Sequence, residues 1–197
     1  MKVASITKNS YANGPGRRNV LHVQGCTLSC PGCFNKNTWS SYGGTEVSLS
    51  DVVEELMDGD PDGITISGGE PMEQWRTLEG VIMMCLSQKP TLSVLVFTGW
   101  NWSELSGSGR LAAMSKPFRS SNSLVSIVIA GRYVEDSPSG RPLRSSTNQR
   151  ALFLDSNYSE KDLVDLPVVE VHCGDGEIKV SGFPDKPILN VLSEGVL

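Results

Sequence analysis

No apolar run in this chain approaches the ~20 consecutive residues needed to span a bilayer. The opening stretch, Met1-Lys2-Val3-Ala4-Ser5-Ile6, lacks the continuous apolar segment of a secretory signal. These two absences predict a cytoplasmic protein with no membrane association, in a compartment where thiols stay reduced. Internal repeats and low-complexity tracts are missing too, leaving only Ser/Gly-rich loops between patterned segments. Nor is there an excess of positive charge. Lys and Arg number 17 against 22 Asp and Glu, a net charge of −5, which argues against a general nucleic-acid binder. What is present, 39% hydrophobic and 20% charged residues over 197 positions, is the composition of one globular domain spanning 1–197.

A disulfide framework is the poorer account of five cysteines, an odd number with three packed into eight residues. Cys26, Cys30 and Cys33 stand in the spacing Cys-x3-Cys-x2-Cys. Three thiolates so spaced can hold three irons of a cubane and leave the fourth open to chemistry. A structural zinc or an electron-carrier cluster instead closes its shell with a fourth residue. His22, four residues before Cys26, could supply that closure in a zinc knuckle, although it falls in a strand pattern between the apolar Leu21 and Val23. Cys85 lies in the apolar helical run Val81 to Leu86 and reads as core. Cys173 beside His172 could open a second metal site, but only two candidate ligands are adjacent.

Hydrophobic periodicity orders the rest. Strands are expected at Lys2 to Thr7, Asn19 to Gln24, Ile64 to Ser67, Leu92 to Phe97 and Leu124 to Ile129. Helices are expected from a Ser50 cap to Met57, from Pro71 to about Gln88, and from Ser103. Short apolar strands alternating with helices indicate a parallel sheet flanked by helices. Val168 to Cys173 and Glu177 to Val180, around Gly174-Asp175-Gly176, read as an antiparallel hairpin. Four unusual segments begin where a strand stops: the cysteine loop, Gly68-Gly69-Glu70-Pro71, Thr98-Gly99-Trp100 and Ala130-Gly131-Arg132. In a parallel α/β sheet or barrel those strand ends share one rim, and the rim holds the site. At Gly68-Gly69-Glu70, backbone free of Cβ atoms and a carboxylate would suit an ammonium group. Glu and Pro opening a helix is the plainer alternative.

On these residues the chain resembles the radical S-adenosylmethionine (SAM) superfamily, and within it the activating enzymes of anaerobic ribonucleotide reductase. The matching runs are Asn13-Gly14-Pro15-Gly16-Arg17, Gly25-Cys26-x3-Cys30-Pro31-Gly32-Cys33-Phe34-Asn35-Lys36 with Thr38-Trp39, Ser67 to Pro71, Phe97 to Trp100, and Arg144-Ser145-Ser146-Thr147-Asn148-Gln149. They cover about residues 10–150, leaving 151–197 as a C-terminal extension. The resemblance implies an incomplete parallel (β/α) barrel with a short antiparallel C-terminal hairpin. It implies a 4Fe-4S cluster on Cys26, Cys30 and Cys33, with SAM chelating the open iron. Gly32 and Phe34 would flank the adenine. Gly68, Gly69 and Glu70 would hold the methionine amine, and Thr98 and Gly99 would lie near the ribose or methionine. Reductive cleavage of SAM would yield methionine and a 5′-deoxyadenosyl radical, which takes hydrogen from a glycine of the large reductase subunit. A flavodoxin- or ferredoxin-type donor would supply the electron.

Where the family shows Asp-Gly-Lys, this chain has Ala130-Gly131-Arg132. Arg132 keeps a cation able to grip the SAM carboxylate bidentately, while the loss of the aspartate removes an acceptor. Two alternatives follow: a small radical SAM enzyme acting on another peptide or small molecule, or a non-enzymatic zinc or electron-carrier module. The segment from Gly131 to Arg150 carries four arginines against Glu135 and Asp136, and reads either as a lid or docking loop or as a solvated charged loop. The tail hairpin reads as sheet closure or as an edge for docking a partner.

Overall fold

A computed structural model of the chain describes residues 1–119, 121–174 and 177–183, with backbone alone at 172–174 and 177–179. The chain opens with β1 (Lys2–Ser10), which turns back antiparallel into β2 (Arg18–Val23). After the cysteine loop, β3 (Thr45–Glu46) pairs with the free edge of β1. Helix α1 (Leu49–Met57) leads into β4 (Gly63–Gly68). A 3-10 turn (Pro71–Gln74) and α2 (Trp75–Gln88) precede β5 (Ser93–Thr98). Then come α3 (Trp102–Gly107), α4 (Arg110–Met114) and β6 (Ile127–Ala130). A hairpin of β7 (Pro138–Arg141) and β8 (Arg144–Ser146) stands apart before β9 (Arg150–Phe153) returns antiparallel onto β6. Last come β10 (Val169–Gly174) and β11 (Glu177–Gly182), an antiparallel pair.

The main sheet has seven strands in the order β3-β1-β2-β4-β5-β6-β9. Only its centre, β2-β4-β5-β6, is parallel. The expected parallel sheet is therefore a mixed one. The turn over 11–17 is too short for a parallel crossover, so β1 runs antiparallel to β2. The longer connection over 131–149 folds as the β7–β8 hairpin rather than a crossover helix, so β9 returns antiparallel onto β6. Boundaries shift for local reasons. α1 is capped by Ser48, whose Oγ accepts from Asp51 N at 3.2 Å, not by Ser50. Pro71 begins a 3-10 turn, and the α-helix follows at Trp75. Leu124 and Val125 donate their N–H groups to Lys116 and Met114 carbonyls, which delays β6 to Ile127.

Alternation along the strands separates two apolar layers. Val94, Val96 and Val128 point to the face covered by the helices, among Val52, Leu56, Leu78, Ile82, Leu86 and the fully buried Cys85. Leu95, Ile127 and Ile129 point the other way, against Leu143 and Leu163. No α-helix covers this second face among the described residues; the 3-10 turn at Glu160–Leu163, connecting segments and the C-terminal hairpin do. The hairpin does not join the seven-stranded sheet. Glu170 accepts from the N–H groups of Tyr11 and Ala12 at 2.8 and 3.2 Å, and Asn13 Nδ2 donates to Ser181 Oγ at 2.7 Å. The Phe183 ring lies 5.0 Å from that of Phe97. The expected tail hairpin is present, and it docks on the inner face. The side chains of His172 and Cys173, weighed above as a second metal site, lie outside the described residues. Among those residues no helix is long and apolar enough to cross a membrane.

Arg18 closes the N-terminal end of the parallel strands. It is 1% exposed, and all five of its N–H donors meet neutral oxygens. Nε donates to Thr65 Oγ1 at 2.7 Å, Nη1 to Pro15 O and Ser93 Oγ at 2.9 and 2.7 Å, and Nη2 to Ile64 O and Ser93 O at 2.5 and 3.1 Å. Burial lowers its pKa to about 10, only partly opposed by Tyr158 and Asp62. Arg18→Ala should lower stability by about 3 kcal/mol, through the cavity left and the acceptors deprived of a donor. Urea unfolding checks this, and an unchanged midpoint would show that Arg18 is no plug.

Candidate active site at the strand ends

The cysteine loop leaves β2 and is pinned at its base. Gly25 N donates to Thr38 O at 2.8 Å and Cys26 N to Trp39 O at 3.0 Å, so the loop returns to where it began. Gln24 Nε2 reaches the carbonyls of Asn37 and Ser40 at 3.1 and 2.8 Å, and Thr27 donates its N–H and hydroxyl to Glu73 at 2.8 and 2.6 Å. Within the loop, Cys33 N bonds to Cys30 O at 3.1 Å. All three thiols are free, half-buried, and face one cavity. Burial raises the Cys26 pKa, helped by Glu70 and Glu73 and opposed by the N–H groups of Leu28 and Ser29. A soft, electron-poor metal is what would turn such a thiol into a thiolate.

The Gly-Gly-Glu-Pro turn packs directly on this loop. Gly69 N donates to Val23 O and Glu70 N to Gly25 O, both at 2.8 Å. A Cβ at Gly69 would run into the carbonyl of Gly25, so only glycine permits this approach. Glu70 is 1% exposed, and its carboxylate binds three donors. Oε1 accepts from Met72 N at 2.8 Å and Thr98 Oγ1 at 2.7 Å, and Oε2 from Gly99 N at 2.8 Å. Burial nevertheless pushes its pKa up to about 7.

The loops expected to converge do so. Cys26, Cys30, Cys33 and Phe34, then Gly68, Gly69 and Glu70, then Thr98 and Gly99 all line the cavity. Gly32 and Arg132 do not. Gly32 has φ +73°, and its Cα faces the Glu135 carboxylate. Arg132 forks onto Glu104, with Nη1 to Oε2 at 2.7 Å and Nη2 to Oε1 at 2.8 Å, and Nη1 also donates to Gly99 O at 3.1 Å. In the Gly131 to Arg150 segment Glu135, Asp136, Arg141 and Arg150 are exposed, as in a solvated charged stretch, but the segment has regular structure. It folds as the β7–β8 hairpin, with Arg144 buried against Glu160. It brings Tyr133, Ser145 and Gln149 to the cavity, and Ile129, Phe97 and Phe183 supply an apolar wall. The wall could be read from strand alternation. Phe183, far along the chain, carried no sequence signal.

The residues fit a multi-iron group better than a single ion. Among the described residues no three His, Cys, Asp or Glu side chains converge as ligands of one ion would. A cubane asks for no such convergence, because each thiolate takes a different iron. His22 points into a neighbouring cavity with Thr7, Asn35 and Ser67. Its Nε2 lies 3.5 Å from Thr7 Oγ1, and burial lowers its pKa to about 4. It does not line the thiol cavity, which leaves the zinc-knuckle alternative without its fourth ligand there.

Comparison with known proteins adds four findings. Residues 12–152 match the family described as "4Fe-4S single cluster domain". The anaerobic ribonucleoside-triphosphate reductase-activating protein of Enterobacteria phage T4 is 28% identical over 145 residues, covering 71% of this chain and 86% of that protein. Its namesake in Escherichia coli (strain K12) is 28% identical over 131 residues, 63% and 79% of the two chains. The pyruvate formate-lyase-activating enzyme of Clostridium pasteurianum is 33% identical over 93 residues, but that is 44% of this chain and 39% of the enzyme.

His22 generates a pH prediction. With its folded pKa near 4 against an unfolded 6.5, the unfolded chain binds the extra proton between those values. The neutral ring's contribution to stability is therefore complete above pH 6.5 and is lost as pH falls toward 4. His22→Gln should lose less stability than the parent between pH 7 and 5, as read from denaturation midpoints. A His22 ring that titrates near 6.5 by NMR would overturn this.

Proposed function

We infer the function of this chain from its kinship: it belongs to the 4Fe-4S single cluster domain family, among the radical SAM activases of glycyl-radical enzymes. It is an oxidoreductase that uses a 4Fe-4S cluster and SAM, and its target is an anaerobic ribonucleoside-triphosphate reductase. The extent of likeness favours this target over pyruvate formate-lyase. Similarity to the reductase activators runs through 86% and 79% of their lengths, against 39% for the lyase activator.

The observation that carries the reading is the meeting of three cysteine thiols with the Gly68–Glu70 turn at one cavity. Cys26, Cys30 and Cys33 would hold the cluster, leaving one iron open for SAM. When bound, the reduced cluster supplies one electron for reductive cleavage of SAM, the chemistry that ends in removal of hydrogen from a target glycine. The chain's own residues do the holding. Glu70 spends three acceptor positions on Met72, Thr98 and Gly99, which leaves one of the four a carboxylate offers for an ammonium group. An ammonium there would offset the burial that lifts the Glu70 pKa. Gly68 and Gly69 keep that approach clear of side chains. Phe34 would flank the adenine, with Gly32 shaping the loop behind it rather than lining the cavity. Thr98 and Gly99 would face the ribose or methionine, and the apolar wall of Phe97, Ile129 and Phe183 would exclude water. In this reading the sheet is an incomplete (β/α) barrel in a single domain over 1–197. A glycine segment of the partner would reach the cavity from its open side, and a cytoplasmic flavodoxin- or ferredoxin-type protein would donate the electron.

Protein reconstituted without oxygen should contain iron and sulfide and cleave SAM once reduced. With an anaerobic ribonucleotide reductase it should give a glycyl radical signal in electron paramagnetic resonance. SAM cleavage without that signal would transfer the activity to another target, and zinc in place of iron would end the enzymatic account. Cys30→Ala should abolish the cluster and the activity. Cys85→Ala, in the core, should keep both at a cost of about 1 kcal/mol in stability.

A further inference from the structure

We propose that Glu104 and Arg132 act together as a clamp that positions the Thr98–Gly99 edge of the cofactor cavity, so that Arg132 serves as a positioning residue and leaves the SAM carboxylate to other groups. This rests on the site reading above. Arg132 presents its two-nitrogen fork to Glu104 at 2.7 and 2.8 Å. An anionic ligand could take that fork only by displacing a carboxylate already seated there. From the same Nη1, Arg132 donates to Gly99 O at 3.1 Å.

Gly99 is thereby held at both ends. Its N–H goes to Glu70 and its carbonyl to Arg132. Glu104 is fixed in turn by α3, because its Oε2 accepts from Asn101 N at 2.7 Å while Asn101 Oδ1 accepts from Glu104 N at 3.0 Å. That carboxyl sits at about 2, held down first by Arg132 and then by the Asn101 N–H. The main chain of Arg132 is anchored as well. Asn148 Nδ2 donates to Arg132 O at 2.8 Å and Gln149 Nε2 to Gly131 O at 3.1 Å, while Gln149 Oε1 accepts from Ser145 N at 2.8 Å. A continuous set of bonds therefore joins the ends of β4, β5 and β6 around the cavity. A lysine could not serve here, because a point charge cannot fork onto Glu104 and reach Gly99 O at once. The arginine at this position and the glutamate in the first turn of α3 form one device.

Two measurements test it. In reconstituted, oxygen-free protein, SAM affinity is measured by calorimetry for Glu104→Gln, Arg132→Lys and the double variant, with iron content as a control. Gln can still cap α3, so Glu104→Gln removes the fork and spares the helix start. Each single change should weaken SAM binding about tenfold, and the double variant no further, a coupling of about 1.4 kcal/mol. Unchanged or tighter binding in Glu104→Gln, beside weaker binding in Arg132→Lys, would make Arg132 a direct ligand and overturn the clamp. The second measurement needs no cofactor. Amide hydrogen exchange at Gly99 and Trp100 in the cluster-free protein should quicken in either variant, and parental rates would also overturn the proposal. If no protein binds SAM, the function reading fails, yet exchange at Gly99 still decides the clamp.

Discussion

The site is organised by one buried carboxylate. Glu70 gathers the N–H of its own turn, the hydroxyl at the end of β5 and the N–H of Gly99, while its main-chain N–H ties back to the first residue of the cysteine loop. Hydrogen bonds to a charged acceptor contribute about 1.5–3 kcal/mol each, enough in sum to offset much of the cost of burying the charge. The offset is incomplete, as the rise of its pKa to about 7 records. Three chain segments that are distant in sequence thus take their relative positions from a group that would rather be in water.

The opposite end of the same strands is finished differently. Arg18 is a buried cation that meets only neutral oxygens, and every donor is used. One end of the sheet is saturated and inert, the other is left with an acceptor and three thiols in hand. A parallel sheet makes this polarity natural, since its strand ends of one kind all lie on one side. The same polarity explains why the chemistry-bearing loops cluster although they are 30 or so residues apart, roughly one strand–helix unit.

Much of this was legible beforehand. Strand ends, the three cysteines and the glycine pair follow from local composition, and local composition decides loops that leave parallel strands. Cys85 was legible as core for the same reason, being one apolar position on an apolar helix face. Three features were not legible, and each depends on contacts far apart in sequence. The antiparallel flanks β1 and β9 are set by pairing partners, which periodicity does not reveal. The fork of Arg132 onto Glu104 joins the ends of two separate strands, so the sequence shows a free cation where the fold has a committed one. Phe183 reaches the cavity only because Glu170 and Ser181 seat the last hairpin against the turn after β1.

That hairpin bears on how the site is enclosed. Helices cover only one face of the main sheet, so the inner face would expose Leu95, Ile127 and Ile129 were nothing laid over it. Apolar surface of that kind is costly in water. The chain covers part of it with its own C-terminal strands, and Phe183 closes on Phe97. Unlike the central strands, the hairpin lies outside the sheet's hydrogen-bond ladder, and among the described residues Glu170 and Ser181 bond it to the turn after β1. Of the groups that line the cavity, the thiol loop and the Glu70 turn are tied to the end of β2, and Phe97 and Ile129 belong to the sheet itself. Phe183 alone comes from the C-terminal hairpin, so the cavity's apolar wall is completed by a segment far along the chain.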